Sequence, residues 1–173
     1  MAYALKIVME LTEVVLNVCM EQCIALARRA PAVIGRPLVG AMVVTEHEQI
    51  VGRGYKQFLE GTKFVQHAER VALDEANDQA RGSYLFTTLE PCVERKSNSH
   101  SRPHVFCSCS RLIIDRGVNT VIVGLLDNSP SMESGSGIAF LKATGVNVIL
   151  YDAYKTKIMQ ELMSSQYLCP KYL

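Results

Sequence analysis

The chain has 173 residues, of which 49% are hydrophobic, so it is long enough to bury a core as one domain without disulfide staples. Its 18 lysines and arginines almost balance 17 aspartates and glutamates, and a net charge of +1 provides no field for gathering nucleic-acid phosphates. Lys6, Glu10 and Glu13 interrupt the apolar stretch 1–20, which excludes a membrane span and a signal-type run. We expect a cytoplasmic protein with a single domain over residues 1–173.

The first half of the chain predicts helices and strands in alternation. The order is helix, strand, strand, helix and strand, at residues 4–29, 37–45, 49–56, 66–78 and 83–89. The first helix has apolar side chains at helical intervals and stops before Pro31, which cannot continue it. The first two strands flank the charged turn 46–48, where we expect His47 to face solvent.

The second half predicts a regular alternation of helices with apolar strands. Its elements are helix, strand, short helix, strand and helix, at residues 107–116, 118–126, 137–144, 146–151 and 153–166. Both strands are apolar enough to be buried on both faces, as parallel strands usually are. We therefore expect a three-layer α/β/α fold with a mixed five-stranded sheet, parallel in its second half and covered by helices on both faces.

Histidine and cysteine residues fall at the boundaries of these elements. His67 opens a predicted helix, Cys92 follows a strand, and Cys107 and Cys109 open the next helix. Six cysteines at irregular spacing do not form a disulfide scaffold in a chain with this much core, which favours metal binding or plain burial. One imidazole and two thiolates leave the fourth position of a tetrahedral zinc site to water, whose pKa zinc lowers to about 7. The pattern predicts a catalytic Zn²⁺ site.

Glu69 follows His67 by two residues, close to the predicted metal but not needed as a ligand. A carboxylate in that place can take a proton from zinc-bound water and pass it to a ring nitrogen and then to a leaving amine. A His-x-Glu motif followed by a Pro-Cys motif is the arrangement of zinc-dependent nucleobase deaminases. We therefore expect a hydrolytic deaminase with Glu69 as the catalytic acid and base.

The chain resembles the cytidine and deoxycytidylate deaminase superfamily in its His-Ala-Glu branch, and within it the deaminase domain of riboflavin biosynthesis. The similarity covers about residues 18–150, before the C-terminal helix. Besides His-Ala-Glu, it depends on RPLVGAMVV, GRGY, TTLEPC and GLLDNSPSMESGSGIAFLKATGVNV, at residues 36–44, 52–55, 87–92 and 124–148. The resemblance implies the deaminase fold, a zinc cofactor, and His67, Cys92 and a second cysteine as ligands.

The second cysteine ligand has to be chosen between Cys107 and Cys109. Sixteen residues separate Cys92 from Cys109, more than the family has between its two cysteines, so the polar segment between them is an insertion. Counted back from Val118, the start of the next strand, Cys109 lies at the family's distance. The resemblance therefore implies Cys109 as the ligand, with Cys107 as the alternative.

Arg36, Glu90 and His104 are the candidate substrate-binding residues. Arg36 stands where the family has an asparagine that resembles a sugar-hydroxyl ligand, and arginine cannot accept a hydrogen bond. Either the substrate carries an anionic group at that edge or Arg36 points elsewhere. Glu90 belongs to the TTLEPC motif, and His104 lies in the polar segment 93–104, where a solvated loop residue is the alternative.

The expected substrate is a small aminopyrimidine base, nucleoside or nucleotide, because the resemblance is to a metabolite enzyme and the charge is balanced. The basic residues Arg95, Lys96 and Arg102 keep open the deamination of cytosine or adenine in single-stranded DNA or RNA. A fourth protein ligand, Cys107 or a loop histidine, would close the site and make the zinc structural. A catalytically silent, zinc-stabilised partner subunit is the third possibility. We expect a homo-oligomer, as a dimer, and no membrane partner.

Overall fold

A computed structural model describes residues 11–33, 36–62, 64–93, 107–129 and 133–163 of the chain. The strands are β1 Gly40–Val44, β2 Ile50–Tyr55, β3 Gln57–Phe58, β4 Val65–Gln66, β5 Tyr84–Thr87, β6 Thr120–Val123 and β7 Asn147–Leu150. The α-helices are α1 Glu13–Ala27, α2 Ala68–Ala76, α3 Cys109–Asp115, α4 Ser136–Ala143 and α5 Lys155–Leu162. Short 3₁₀ helices follow α2 at Asn77–Ala80 and precede α5 at Asp152–Tyr154. Every element predicted from the sequence is present, most of them with shorter bounds, and α4 begins and ends one residue earlier than predicted.

Five strands form one mixed sheet in the order β2-β1-β5-β6-β7. β1 is antiparallel to both β2 and β5, whereas β5, β6 and β7 are parallel, which confirms the predicted parallel second half. β6 is buried along its whole length, as predicted for a central strand. The prediction that 146–151 is a buried strand was wrong, because β7 is the edge strand and leaves Asn147 and Leu150 exposed.

The helices cover both faces of this sheet, which confirms the three-layer architecture. Successive residues of a strand face opposite sides. A Cβ on Gly40 of β1 would lie 2.0 Å from the Cys23 carbonyl oxygen of α1, while a Cβ on Gly54 of β2 would lie 2.0 Å from the Ala68 oxygen of α2. Gly54 pairs with Ala41, the neighbour of Gly40, so α1 and α2 pack on opposite faces. Glycine is required at both crossings because the helix backbones approach so closely.

The other helices join these two layers. α5 packs against α1. The Lys157 ammonium of α5 forms an ion pair with the Glu21 carboxylate of α1 at 2.7 Å. α3 packs between α2 and α4 on the second face. Each helix of the described ranges is too short or too polar to cross a lipid bilayer.

A small second sheet, which the sequence did not reveal, connects the main sheet to α2. β3 and β4 are antiparallel, with Gln57 opposite Gln66 and Phe58 opposite Val65. Two-residue strands are too short to show a periodic pattern. Their pairing returns the chain from the end of β2 to the start of α2, where His67 lies.

Two further predictions are confirmed, and others concern residues outside the described ranges. His47 lies in the turn between β1 and β2 with 54% of its side chain exposed, as expected for a solvated residue. The predicted first helix is confirmed from Glu13, where Thr12 caps it through a bond from the Val15 N–H at 3.3 Å. Residues 4–10, most of the 93–104 loop and residues 164–166 of the final predicted helix lie outside the described residues.

Candidate metal centre

Two helix starts bring the predicted ligands to one edge of the sheet. His67 immediately precedes α2 in an extended conformation, with φ −75° and ψ 151°, and its side chain does not cap the helix. Cys109 is the first residue of α3, whose cap is Ser108, the acceptor of a bond from the Arg111 N–H at 3.3 Å. Cys92 follows β5 by five residues. The ligand-bearing segments are thus fixed by regular elements.

Hydrogen bonds join the start of α3 to the segment that carries Cys92. The Ser110 N–H donates to the Cys92 carbonyl oxygen at 3.1 Å, and the Ser110 hydroxyl donates to the Pro91 carbonyl oxygen at 3.2 Å. Ser110 is fully buried. These bonds hold the two cysteines near each other although sixteen residues separate them in the sequence.

The three side chains form a compact cluster with the spacing of a zinc site. The Nδ1 atom of His67 lies 3.5 Å from the Sγ of Cys92 and 3.4 Å from the Sγ of Cys109, and the three ligand atoms lie within 4.8 Å of one another. Tetrahedral zinc with ordinary bond lengths places nitrogen and sulfur ligands about 3.6 Å apart. The distances therefore fit Zn²⁺, and the soft thiolates favour it over Ca²⁺ or Mg²⁺.

The two thiols of the cluster titrate as a pair. Hydrogen bonding from the Cys109 side chain, followed by that from His67, holds the pKa of Cys92 well below its usual range. The Cys109 backbone N–H also donates to the Cys92 Sγ at 3.4 Å. The hydrogen bond with Cys92, together with burial, raises the pKa of Cys109. One thiolate is thus stabilised by the second thiol, whose proton a metal cation would replace on binding.

Glu69 lies in the first turn of α2 beside this cluster and is only 3% exposed. Burial raises the pKa of its carboxyl to about 7, His67 opposes that shift, and the Cys92 thiolate adds to it. A hydrogen bond with Cys109 also links the carboxyl to the cluster. A carboxyl group that exchanges a proton near neutral pH is suited to general acid–base chemistry.

Residues 15–125 match the family profile described as the cytidine and deoxycytidylate deaminase zinc-binding region. The chain belongs to this deaminase family. The matched region includes all three cluster residues and Glu69, so the zinc predicted from the sequence agrees with the family. The resemblance inferred from the sequence motifs is confirmed.

Within this family the chain is similar to proteins of riboflavin biosynthesis. It is 35% identical to the Synechocystis protein RibD over 133 residues, which are 75% of this chain and 32% of that protein. It is 35% identical to the diaminohydroxyphosphoribosylamino-pyrimidine deaminase of Buchnera aphidicola over 113 residues, 65% of this chain and 67% of that protein. The chain spans about a third or less of the length of the RibD relatives.

Solved structures of the same kind share the fold. Acinetobacter baumannii RibD has a TM-score of 0.70 at 28% identity, covering 87% of this chain and 39% of that one. The dCMP deaminase of cyanophage S-TIM5 has a TM-score of 0.58 at 23% identity, covering 80% of this chain and 98% of that one. The second likeness concerns the fold alone, and both confirm the deaminase-type α/β/α architecture.

The two candidate second cysteines of this chain have different neighbours. Cys109 is buried within the cluster, whereas Cys107 faces Arg70. The Nη2 atom of Arg70 donates to the Cys107 carbonyl oxygen at 2.8 Å and approaches its Sγ at 3.5 Å. Among the described residues, the cluster therefore contains the cysteine that the resemblance favours.

Glu90, expected at the substrate, has both carboxylate oxygens in hydrogen bonds with the backbone. Its Oε2 accepts from the N–H groups of Asp127 and Gly135, each at 3.0 Å. Its Oε1 accepts from the N–H groups of Gly137 at 2.7 Å and Ile138 at 3.3 Å. The carboxylate thus caps the start of α4. The sequence did not indicate this role for Glu90. In the structure Glu90 is a positioning group for α4.

The other two predicted substrate-binding residues have different outcomes. Arg36 is exposed and precedes β1. His104 lies outside the described residues, as do His100, Arg95, Lys96 and Arg102.

Lys56 is a residue at this edge that the sequence reasoning missed. Its side chain is 5% exposed, and its ammonium donates to the Pro37 carbonyl oxygen. Burial, together with the charge of Arg36, lowers the pKa of Lys56 to about 8. A lone lysine after the GRGY segment looks like an ordinary surface residue in the sequence, and its burial is visible only in the tertiary structure.

Proposed function

We propose that this chain catalyses the hydrolytic deamination of a small aminopyrimidine. The observation that supports this most directly is the cluster of His67, Cys92 and Cys109 within 4.8 Å, beside the buried carboxyl of Glu69. Three ligands of this kind with a neighbouring carboxyl resemble a catalytic zinc site more than a structural one. A structural site would need a fourth protein ligand.

The metal ligands proposed here are the Nδ1 of His67 and the Sγ atoms of Cys92 and Cys109. When bound, zinc would supply a Lewis acid that lowers the pKa of a water molecule to about 7. The backbone N–H of Cys109 supports the thiolate of Cys92, to which it donates at 3.4 Å. Hydrogen bonds to a thiolate fix the orientation of a ligand and tune its basicity.

Glu69 is proposed to move the protons. Its carboxylate takes a proton from the attacking water and gives it to the ring nitrogen beside the amino-bearing carbon, and it carries a second proton to the amine as that group leaves. The overall reaction replaces a ring C–NH₂ by C=O, consumes one water and releases one ammonia. Its pKa, raised to about 7 by burial, allows the same carboxyl to accept and donate at neutral pH.

The substrate class is supported by the relatives rather than by the site alone. The Buchnera relative is named as a deaminase of a diaminohydroxyphosphoribosylamino-pyrimidine, and the chain matches 67% of its length. We therefore propose an aminopyrimidine ring as the substrate, free or carrying a sugar.

Ammonia release from a substrate panel tests this proposal. The panel contains cytosine, cytidine, cytidine 5′-monophosphate, deoxycytidine 5′-monophosphate, a 2,5-diaminopyrimidine ribosylamino phosphate and a single-stranded oligonucleotide. We expect turnover of at least one small aminopyrimidine by the zinc-loaded protein, and none by Glu69→Gln. Glu60→Gln, at an exposed position in the turn between β3 and β4, is the matched control.

The other outcomes of this panel identify the alternatives. Ammonia released only from the oligonucleotide would replace the small-molecule assignment with nucleic-acid deamination. A zinc-loaded protein that releases ammonia from none of the substrates would favour the silent partner subunit.

Assembly and location are proposed on separate grounds. We propose a homodimer, which sedimentation of the zinc-loaded protein tests.

We also propose a cytoplasmic location, because thiolate ligands of zinc persist in a reducing compartment. Cys92 and Cys109 are free thiols in the structure, in agreement with that proposal.

A further inference from the structure

Two arginine side chains connect the two helices that begin at the metal centre. Arg70, in the first turn of α2, donates through its Nη2 atom to the Cys107 carbonyl oxygen at 2.8 Å, and the same atom lies 3.5 Å from the Cys107 Sγ. Arg116, the residue that ends α3, donates to the Leu73 carbonyl oxygen at 2.8 Å and forms an ion pair with Asp74 at 2.6 Å. Hydrogen bonds therefore join α2 to α3 at both ends of α3.

The Arg70 bond joins the two segments that carry metal ligands. Arg70 follows His67 by three residues on α2, and its partner Cys107 precedes Cys109 by two residues. The guanidinium is partly buried, and a hydrogen bond from a charged donor is stronger than one between neutral groups. This bond therefore fixes the start of α3 relative to the helix that begins after His67.

The connectivity of the chain does little to place Cys109. Sixteen residues separate it from Cys92 in the sequence. A short loop restricts the separation of its ends, whereas the closure of a longer loop costs more conformational entropy. The position of Cys109 therefore depends on bonds between segments. Ser110 bonds to the segment of Cys92, and Arg70 supplies a bond from α2.

We propose that Arg70 is a positioning residue of the metal centre, which holds the start of α3 against α2 so that Cys109 and His67 lie at the separation that zinc requires. This inference rests on the ligands named in the proposed function, and not on the substrate or on turnover. Arginine suits the role because its planar guanidinium presents several N–H donors in a fixed geometry.

The zinc affinity of the full chain tests this role without any turnover. The zinc-loaded protein is titrated with a chelator of known affinity, which gives the zinc dissociation constant of wild type and of each variant. Arg70→Gln should weaken zinc binding by about 10- to 100-fold, the usual effect of removing a group that orients a metal ligand. Arg70→Lys, which keeps one charged donor, should recover part of that loss. Wild-type affinity in Arg70→Gln would overturn the inference.

Arg116→Gln is the matched control, because Arg116 joins the same two helices away from the metal. It follows Cys109 by seven residues, roughly 10 Å further along α3. Arg116→Gln should lower the urea midpoint of unfolding but keep the zinc dissociation constant within about threefold of wild type, since distant sites without shared partners act independently. Equal weakening of zinc binding by Arg116→Gln and Arg70→Gln would mean that helix packing in general sets the affinity, and would overturn the inference.

Amide hydrogen exchange of the zinc-loaded chain separates position from charge. The N–H of Ser110 is buried and donates to the Cys92 carbonyl oxygen at 3.1 Å. Arg70→Gln should speed its exchange by up to about tenfold, because the start of α3 opens locally once the bond to α2 is lost. Arg116→Gln should leave this amide unchanged. Weaker zinc binding in Arg70→Gln with unchanged exchange at Ser110 would assign Arg70 an electrostatic effect alone and overturn the positioning role.

Two further comparisons keep the test decisive. If Arg70→Gln fails to fold, as judged by circular dichroism, Arg70→Lys replaces it and should bind zinc more weakly than wild type; affinity equal to wild type would overturn the inference. Failure of the proposed function is recognised separately. Weaker zinc binding in the Arg70 variants of a chain that releases no ammonia from any substrate would support the positioning role and reject the deaminase proposal.

Discussion

Two buried carboxylates near the metal centre, in the first turn of α2 and in the loop after β5, have opposite surroundings. Glu90 accepts four backbone N–H bonds from the start of α4 and the loop before it. For Glu69, burial is the largest influence and raises the pKa to about 7, while hydrogen bonding lowers that pKa through its own backbone N–H and the Cys109 side chain. Four donors hold one carboxylate in place, whereas few donors leave the other able to exchange a proton. Burial alone therefore does not distinguish the two carboxylates, whereas the number of hydrogen-bond donors around them does.

The largest expected effect is the loss of turnover when Glu69, the carboxylate with few hydrogen-bond donors, is substituted. Glu69→Gln should retain zinc and the fold but lose turnover by about 10² to 10⁴, the usual cost of removing a general acid–base group. Ammonia release and metal content of the same preparation measure both properties. Turnover within threefold of wild type would exclude Glu69 from proton transfer.

The next largest effect is on zinc binding, and it distinguishes Cys109 from Cys107. Cys109→Ser should lose zinc and activity, because a hydroxyl is a poor ligand in place of a thiolate. Cys107→Ser should keep both, since Cys107 faces Arg70. Elemental analysis after dialysis measures zinc per chain. Zinc lost from the Cys107 variant and kept by the Cys109 variant would reverse the ligand assignment.

A smaller effect is expected at Glu90, where the role is structural. Glu90→Gln should lower the free energy of unfolding by about 1–3 kcal/mol, because an amide nitrogen would face backbone N–H donors that now bond to a charged oxygen. Urea unfolding of the zinc-loaded protein measures it. The loss of turnover should be no larger than the loss of folded protein. A stable Glu90→Gln variant without activity would instead support the substrate contact expected from the sequence.

The smallest effect is a pH dependence that depends on Lys56. Burial and Arg36 lower its pKa to about 8 from 10.5, so between those values the unfolded chain binds more protons than the folded chain. The contribution of Lys56 to the free energy of unfolding therefore rises with pH in that range.

Unfolding in phosphate-free buffer from pH 7.5 to 10 should show this rise in wild type relative to Lys56→Met. A difference between the two proteins that stays constant with pH would mean that the Lys56 ammonium is not desolvated.

Much of this fold could be predicted from the sequence because the signals are local. Helical and strand periodicity predicted the order of elements from Glu13 to Leu162, and the segment between Cys92 and Cys109 did not obscure the ligand types. The family's distance from Val118 favoured Cys109 over Cys107, and Cys109 is the cysteine that lies with His67 and Cys92 in the structure. These features depend on residues within a few turns of one another.

The tertiary structure alone decided the features that depend on contacts between distant segments. The position of β7 at the sheet edge, the burial of Lys56 and the four donors around Glu90 depend on strand order and on segments up to 48 residues away in the sequence. Hydrophobic periodicity says which face of a strand is apolar, but not which strand is its neighbour. For the same reason, the sequence by itself predicted which residues could hold zinc, whereas the packing of the start of α4 against the Cys92 loop decided which buried carboxylate accepts four backbone hydrogen bonds.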